Sequence, residues 1–363
     1  MWLHYFIFIY IVFTYMISKI INKKFNDRIF LALNFIFLLI LAAFRDVSVG
    51  NDTVEYYRIF NLVSSINFID GIFNISRYEI GYLLLNYVVT RFTNNFNIIL
   101  FITSFLYLYS TFKFIEKYSK SKFMAVMLFF TFSMYYLIFN IQRQCIAIAI
   151  FLYAIKFLEN KQYIRYIISI LLATMFHYIA IILLCLCYIP KINLYNKKIA
   201  VKSVLFSCFI AYVIAYVVTK FGVYIPYFGH YLIDSEYSKG GIRIASVILA
   251  GIRLGIIILI LFINGFKENN SKTNADYIFN YIAFLDCIIA LASIKFNLYD
   301  RVEDYLCIIF IVMISNSISS LKIKANKYII NATLVIITMA YLTVSLIIKS
   351  NWYGIFPYAF VGG

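Results

Sequence analysis

Apolar runs separated by short polar segments make up most of the chain. A helix needs about 20 residues, at about 1.5 Å per residue, to cross the roughly 30 Å hydrocarbon core of a bilayer. Runs near this length predict membrane-spanning helices. They cover residues 2–18, 29–44, 96–112, 123–139, 144–158, 199–219, 243–264, 276–294, 305–320 and 328–347.

Two apolar runs do not fit a single crossing. Residues 79–92 form the shortest run, so we predict a re-entrant or interfacial segment there. The run 163–189 is long for one helix. It predicts either two short arms or a hairpin that dips into the membrane, with His177 at its turn.

Six clusters of Lys and Arg fall between the apolar runs. They lie within residues 19–28, 113–122, 156–165, 191–202, 267–272 and 322–327. Short basic loops stay on the cytoplasmic side of a bilayer, so an even number of crossings should separate consecutive clusters. The pattern predicts an all-α, polytopic integral membrane bundle of about twelve helices, within a range of roughly 10–14, with both ends of the chain outside.

Composition supports one membrane domain over residues 1–363. The chain is 64% hydrophobic, with a mean hydropathy of +0.87, which is too apolar for a soluble domain. Three prolines and thirteen glycines leave little material for linkers. The net charge of +16 comes from residues that punctuate the membrane runs rather than from one basic face, so no nucleic acid partner is expected.

Polar residues concentrate on the predicted external side of the membrane. The basic loops place an external motif loop at 45–78, and further external loops near 140–143, 221–242 and 295–304. The polar clusters assigned to this face are Arg45 to Arg58, Arg77 with Glu79, Asn140 to Gln144, His177, and Asp300 to Asp304. Ionisable residues at a bilayer normally face a cavity, a partner or a substrate, so this convergence predicts an external active site.

Most of these clusters also have a purely structural interpretation. Residues 50–53 have the composition of a turn and a helix start, with Asp52 or Thr53 as the N-cap. The presence of Glu79 could be explained by its position alone, because a negative charge at a helix N-terminus is favourable. A lone histidine on an apolar face, such as His177, is more often structural, although a pKa near neutrality would suit proton transfer.

Three arginines lie at positions where a functional role has to be weighed against a structural one. Arg143 lies between two glutamines at the mouth of an Ile/Ala helix, where a guanidinium can bind a phosphate or a carboxylate with two hydrogen bonds. Snorkelling to the interface would explain its charge, but not its polar neighbours. Arg301 and Tyr305 share a face at a predicted helix start, which is either solvated or functional. Arg253 and Asp286 fall in mid-helix, either as a buried ion pair or on a substrate path.

Several catalytic motifs do not occur in the sequence. There is no phosphate-binding Gly-rich loop, no GxSxG elbow, no HExxH helix and no Asp-rich metal motif. Nucleotide-driven and zinc chemistry are therefore not expected, and we predict neither a cofactor nor a metal.

The ordered polar motifs resemble those of the EpsG-like, Wzy-type polymerases of bacterial exopolysaccharide, capsule and O-antigen. The stretch FRDVSVGNDTVEYY is similar to the family signature R-x-x-x-x-G-x-D-x-x-x-Y. The matching residues are Arg45, Gly50, Asp52, Thr53 and Tyr56.

Three further motifs extend the resemblance. RYEIGYLLLNYVVTRFTNNF is similar to a Glu-Pro-Gly segment followed by a Thr-Asn-Asn turn, although Ile80 stands in place of the proline. An Arg-Gln pair that opens an Ile/Ala helix, with a later histidine, and an Arg-x-x-x-Tyr element complete the set. The matching residues are Glu79, Gly81, Asn86, Arg143, Gln144, His177, Arg301 and Tyr305.

The resemblance implies a polysaccharide polymerase at the external face of the bacterial inner or cytoplasmic membrane, and our hypothesis is that it is a GT-C-like membrane glycosyltransferase. It would join undecaprenyl-diphosphate-linked oligosaccharides, which serve as both donor and acceptor, and it would need no metal. Membrane lipid surrounds it, and a chain-length regulator protein is a possible partner. Arg143 and Arg301, with Arg45 as a third, would bind the diphosphate. Asp52 is the first choice as acceptor base, and Glu79 and His177 are its rivals.

Other residues of the same clusters complete the predicted substrate site. They are Thr53, Tyr56, Arg77, Asn140, Gln144 and Tyr305. Two other functions stay open at this point. A flippase-like transporter of lipid-linked sugars would use the same basic cavity without a base, and another membrane component of the same pathway would need the cavity less.

Overall fold

Helices form the regular structure of the residues that the computed structural model describes. The described residues are 2–21, 26–66, 71, 75, 78–188, 244–263, 274–294, 298–319, 324–348 and 353–362. Among them no strand occurs, and the only β-type contact is an isolated antiparallel bridge between Arg45 and Phe360.

The described helices follow most of the predicted apolar runs. They are α1 (Trp2–Ile21), α2 (Asn26–Ala43), α3 (Thr53–Ser64), α4 (Ile80–Thr90), α5 (Asn97–Tyr118), α6 (Lys122–Thr131), α7 (Gln142–Glu159), α8 (Tyr163–Thr174), α9 (Ile244–Ile263), α10 (Asn274–Ser293), α11 (Leu298–Ser319) and α12 (Lys324–Ile348), with 3-10 helices at Met134–Phe139 and Tyr178–Tyr188. The predicted span 199–219 and the predicted external loop 221–242 lie outside the described residues.

Five of the described helices are long and apolar enough to cross a membrane: α1, α5, α10, α11 and α12. The prediction of an all-helical, multi-pass membrane protein is confirmed at this level. The number of about twelve crossings and the GT-C-like arrangement stay predictions.

The chain divides into two compact units. The first contains Met1–Leu184 and Tyr328–Gly363, and the second contains Cys185–Lys327. In the first unit α5 packs against α2 and α7, and α7 packs against α8. In the second unit α10 packs against α9 and α11. The single domain expected for residues 1–363 stays a prediction.

The two irregular apolar runs form short elements. Helix α4 has 11 residues and a length of about 16 Å, which is too short to cross a bilayer and suits the predicted re-entrant or interfacial segment. Residues 163–188 form α8 and a 3-10 helix. The two fold back on each other, because the hydroxyl of Tyr166 donates to the carbonyl of Leu183 at 2.8 Å. His177 lies at the turn between them, as predicted, and the choice between two short arms and a hairpin that dips into the membrane stays open.

The prediction of one helix over residues 123–139 is wrong. Helix α6 ends at Thr131, Ser133 takes a left-handed φ of 64°, and a 3-10 helix follows. Every residue from 124 to 139 is buried, and the hydroxyl of Tyr107 donates to the carbonyl of Met134 at 2.8 Å. A broken segment inside the protein is as apolar as a membrane helix, so hydropathy alone does not separate the two.

Candidate functional site

The loop between α2 and α3 is held tightly against the 3-10 helix Met134–Phe139. Gly50 has φ +99°, and a Cβ at this position would overlap the carbonyl of Phe139 and lie 2.7 Å from the hydroxyl oxygen of Thr53. That hydroxyl is 2.7 Å from the carbonyl of Val49 and 3.1 Å from that of Phe139, both of which can accept its hydrogen bond. The Gly and Thr of the motif therefore shape the loop through backbone contacts.

Arg45 is fully buried and bonded to the backbone. Its guanidinium donates to the carbonyls of Ala42 and Ile138, the latter at 3.2 Å, and lies 4.8 Å from the ring centre of Phe139. Burial lowers the pKa of Arg45 to about 10, so the group stays charged at neutral pH. These contacts favour a structural role, in which Arg45 ties the end of α2 to the 3-10 helix. Its predicted contact with a diphosphate stays a prediction that this geometry does not support.

Asp52 and Tyr56 occupy the first turn of α3. Asp52 is the N-cap residue, as one of the structural alternatives predicted, but its side chain makes no capping hydrogen bond and is exposed. Tyr56 is buried one turn later. Burial raises the pKa of Tyr56 to about 12 against the opposing charge of Arg143, so the hydroxyl is neutral at physiological pH.

Glu79 and Arg143 form an ion pair at the start of two helices. Glu79 is the N-cap of α4, and Arg143 is the second residue of α7. A carboxylate oxygen of Glu79 accepts a hydrogen bond from the guanidinium of Arg143. The other carboxylate oxygen and the Nε of Arg143 are buried without a hydrogen-bond partner. The pair therefore has both donor and acceptor capacity to spare.

Two tyrosines complete the surroundings of the Arg143 guanidinium. Tyr56 shares a hydrogen bond with Arg143, in which the guanidinium donates to the hydroxyl oxygen. The ring centre of Tyr78 lies 5.5 Å from the guanidinium, within the range of a cation–π contact. The hydroxyl of Tyr78 donates to the carboxylate of Glu55 on α3. Arg143 is thus held by Tyr56 of α3 and by the two residues that precede α4, Tyr78 and Glu79.

The turn that carries His177 lies against the start of α4. The amide of Gly81 donates to the carbonyl of Met175 at 2.8 Å, and a Cβ on Gly81 would lie 2.7 Å from the same oxygen. Only glycine allows so close an approach. His177 is buried two residues further along.

Amides extend the site along α4 and the start of α7. The hydroxyl of Tyr82 donates to the side-chain oxygen of Gln142 at 3.2 Å, and the side-chain amide of Asn86 donates to the backbone carbonyl of Tyr82 at 2.8 Å. The side-chain oxygen of Asn140 accepts from the amide of Asn51 at 2.8 Å, which joins the motif loop to the residues before α7.

The structure thus brings most of the predicted site residues together at one end of the first unit. These are Arg45, Asp52, Thr53, Tyr56, Glu79, Asn140, Arg143, Gln144 and His177. Arg77 lies outside the described residues, and Arg301 and Tyr305 belong to the second unit. The roles predicted for individual residues stay predictions.

Sequence reasoning missed Tyr78, and it placed Glu55 only in the charged cluster at the start of a predicted helix. Both stand beside motif residues, Glu55 next to Tyr56 and Tyr78 next to Glu79, and an aromatic residue adjoining an acidic helix start was the available signal. It also missed the segment after α12, residues 353–362, which packs on the motif loop. No motif in the sequence marked that contact.

The second unit contains a buried charge cluster inside its helices. Arg253 on α9 contacts the carboxylates of Asp286 on α10 and Glu303 on α11, and all three side chains are almost fully buried. The buried ion pair, one of the two alternatives for Arg253 and Asp286, is present. Glu303, which the sequence placed in an external cluster, is its third member because α11 begins at Leu298 and turns this residue inward.

Comparison with known protein families gives one match. Residues 28–360 match the EpsG family. No curated protein matches, and no solved structure matches.

Proposed function

The chain belongs to the EpsG family, and we propose that it is a membrane glycosyltransferase that polymerises lipid-linked oligosaccharide repeat units into a polysaccharide. Donor and acceptor are repeat units on undecaprenyl diphosphate, and the reaction takes place at the external face of the bacterial inner or cytoplasmic membrane. Family membership supports the polymerase-like role. The substrate and the chemistry are inferred from the site.

The arrangement around Arg143 carries the proposal. Its guanidinium lies in the first turn of the 18-residue helix α7, where the helix dipole and the amide groups also favour an anion. Arginine binds phosphate oxygens with two parallel hydrogen bonds and needs no metal to do so. Arg143 is the only member of its ion pair with appreciable exposure, 22% against 1% for Glu79. A ligand can therefore reach Arg143 while the buried carboxylate of Glu79 accepts its hydrogen bond.

Glycosyl transfer at this site needs one anion-binding group and one base. The acceptor hydroxyl loses its proton to the base and its oxygen forms a bond to the anomeric carbon of the donor. The bond from that carbon to the diphosphate oxygen breaks, and the leaving diphosphate keeps the electron pair. Arg143 stabilises the charge that develops on the diphosphate, since a fixed cation aimed at a leaving group lowers the barrier.

Asp52 is the proposed base. Its side chain is exposed at the N-terminus of α3, one helical turn before Tyr56, which contacts Arg143. Glu79 is already engaged by Arg143, so its carboxylate must leave the arginine before it could accept a proton. His177 is buried behind the start of α4. Exposure thus favours Asp52 over both rivals, because a base has to reach the acceptor hydroxyl directly or through one water.

Substitution of Arg143 in a strain that lacks the gene tests the proposal. We expect Arg143→Gln to abolish long chains on a gel of lipid-linked glycans, while single repeat units accumulate on the outer leaflet. Arg143→Lys should restore only part of the polymer, because a lysine does not form the paired bonds. Arg165→Gln is the matched control, since Arg165 is exposed and contacts only Gln162 in the described contacts, at 3.1 Å.

The location of the repeat units separates the candidate functions. Units trapped on the inner leaflet would indicate a transporter instead of a polymerase. Normal chain length in Arg143→Gln, at a normal amount of protein, would overturn the proposed site.

A further inference from the structure

Residues 353–362, which follow α12 and which we call the strap, pack on the motif loop of residues 44–52. The amide of Asp46 donates to the carbonyl of Ala359 at 2.9 Å, and the amide of Val361 donates to the carbonyl of Phe44 at 3.0 Å. These two bonds flank the bridge between Arg45 and Phe360. The strap therefore runs antiparallel to the start of the loop and is bonded to it through backbone groups.

A second set of contacts joins the strap to the other end of the loop. The amide of Gly50 donates to the carbonyl of Gly354 at 2.7 Å. Gly354 has φ +58°, and a Cβ on it would lie 2.8 Å from the backbone nitrogen of Asn51 and closer still to its side-chain oxygen. In addition, the hydroxyl of Tyr358 donates to the carbonyl of Leu41 at 2.7 Å. The strap thus holds the loop at its beginning, at its end and at the helix that precedes it.

The contact at Gly354 lies one residue from the proposed base. Asn51, which touches Gly354, precedes Asp52, and its amide donates to the side chain of Asn140. Asn140 in turn lies three residues before Arg143. One short path of contacts therefore connects the strap to both the base and the arginine of the proposed site.

We propose that the strap is a positioning element of the site, which fixes Asn51 so that Asp52 and Arg143 keep their separation during transfer. Its contact at Gly354 involves Gly50 and Asn51, the two residues that precede Asp52.

Two glycines of the strap provide a matched pair of variants. Gly354 and Gly362 both have positive φ, 58° and 79°, so alanine at either position meets similar backbone strain. A Cβ on Gly354 strikes Asn51, whereas a Cβ on Gly362 has nothing within 4 Å. Any difference between Gly354→Ala and Gly362→Ala therefore reports on the contact with the loop.

The experiment measures polymer per amount of membrane protein in a strain that lacks the gene. We expect Gly354→Ala to lose at least about tenfold in polymer, and Gly362→Ala to match the wild type, with equal protein amounts and equal unfolding midpoints in detergent. The double variant Asn51→Ala/Gly354→Ala should recover part of the loss, since the side-chain atoms that the new Cβ strikes are gone.

The outcomes separate this inference from the proposed function on which it rests. Equal polymer from the two glycine variants, or a loss that only follows a fall in protein amount, would overturn the positioning role of the strap. Normal polymer from Arg143→Gln would overturn the proposed site instead. If Gly354→Ala loses polymer and the double variant partly recovers it while Arg143→Gln is normal, the contact between the strap and the loop matters for polymer formation, but its role in placing Arg143 is overturned.

Discussion

Replacing Glu79 with glutamine removes the negative charge that holds Arg143, while the shape of the side chain is kept. In the protein without substrate, Glu79 accepts a hydrogen bond from the guanidinium that we propose to bind the diphosphate. A diphosphate must therefore compete with this carboxylate. We expect Glu79→Gln to bind diphosphate more tightly than the wild type.

The size of the effect follows from the charges and the burial. Opposite unit charges about 4 Å apart attract by about 4 kcal/mol at an effective dielectric constant of ~20. The gain should be smaller than this, because an amide still accepts one hydrogen bond and because Arg143 is 22% exposed and partly screened by solvent. A gain of about 1–2 kcal/mol corresponds to roughly 5- to 30-fold in affinity.

Calorimetric titration with inorganic pyrophosphate, on the full chain in lipid nanodiscs, measures this affinity. Glu159→Gln is the control, because Glu159 also belongs to an ion pair, with Lys117 at 3.0 Å, and is the last residue of the helix that has Arg143 in its first turn. About 24 Å of helix separates the two positions, so the control should change affinity less than about twofold. Equal or weaker pyrophosphate binding in Glu79→Gln would refute the competition between Glu79 and the ligand.

Polymer formation by the same variant also bears on the identity of the base. If Asp52 takes the proton, Asp52→Asn should abolish polymer while Glu79→Gln retains part of it. The reverse order would assign the base to Glu79, which would then act only after the diphosphate had displaced it from Arg143.

Three further substitutions test the packing around the site and in the second unit. Gly81→Ala should lower the unfolding midpoint in detergent, because its Cβ would press on Met175 and cost about 1–3 kcal/mol in the free energy of unfolding. Gly251→Ala, whose Cβ would have nothing within 4 Å, should not lower the midpoint, and equal falls in both variants would contradict this. Tyr56→Phe should weaken pyrophosphate binding about 2- to 10-fold through the lost bond to Arg143, and unchanged affinity would argue against that bond. Arg253→Ala leaves two buried carboxylates without their cation, which should lower the free energy of unfolding by about 3–5 kcal/mol and reduce the amount of membrane protein. A normal amount of protein would contradict this.

Hydrophobic pattern and helix length were enough to predict the class of the protein and most of its helices. The runs 29–44, 276–294 and 328–347, for example, lie within or within one residue of α2, α10 and α12. The pattern failed at 123–139, where the left-handed turn at Ser133 breaks the run. Burial in a protein core and burial in lipid select the same side chains, so the two could not be told apart from composition.

Most residues of the candidate site could also be predicted from the sequence, because charged groups in an apolar chain are energetically costly and usually have a structural or functional role. Arg45 shows the limit of this reasoning. It opens the family motif and was assigned to substrate, yet its guanidinium is bonded to the carbonyls of Ala42 and Ile138. A buried arginine that supports backbone and an arginine that binds a ligand look the same in a sequence.

The sequence by itself determined that the chain is an all-helical membrane protein with its polar chemistry in a few short segments, because hydrophobicity and charge belong to each residue whatever its neighbours. Only the tertiary structure decided which of those residues meet. Glu79 and Arg143 are 64 positions apart, and the strap meets the motif loop across most of the chain. Such pairings depend on how the helices pack and on backbone groups that every residue carries, and the type of a single side chain determines neither.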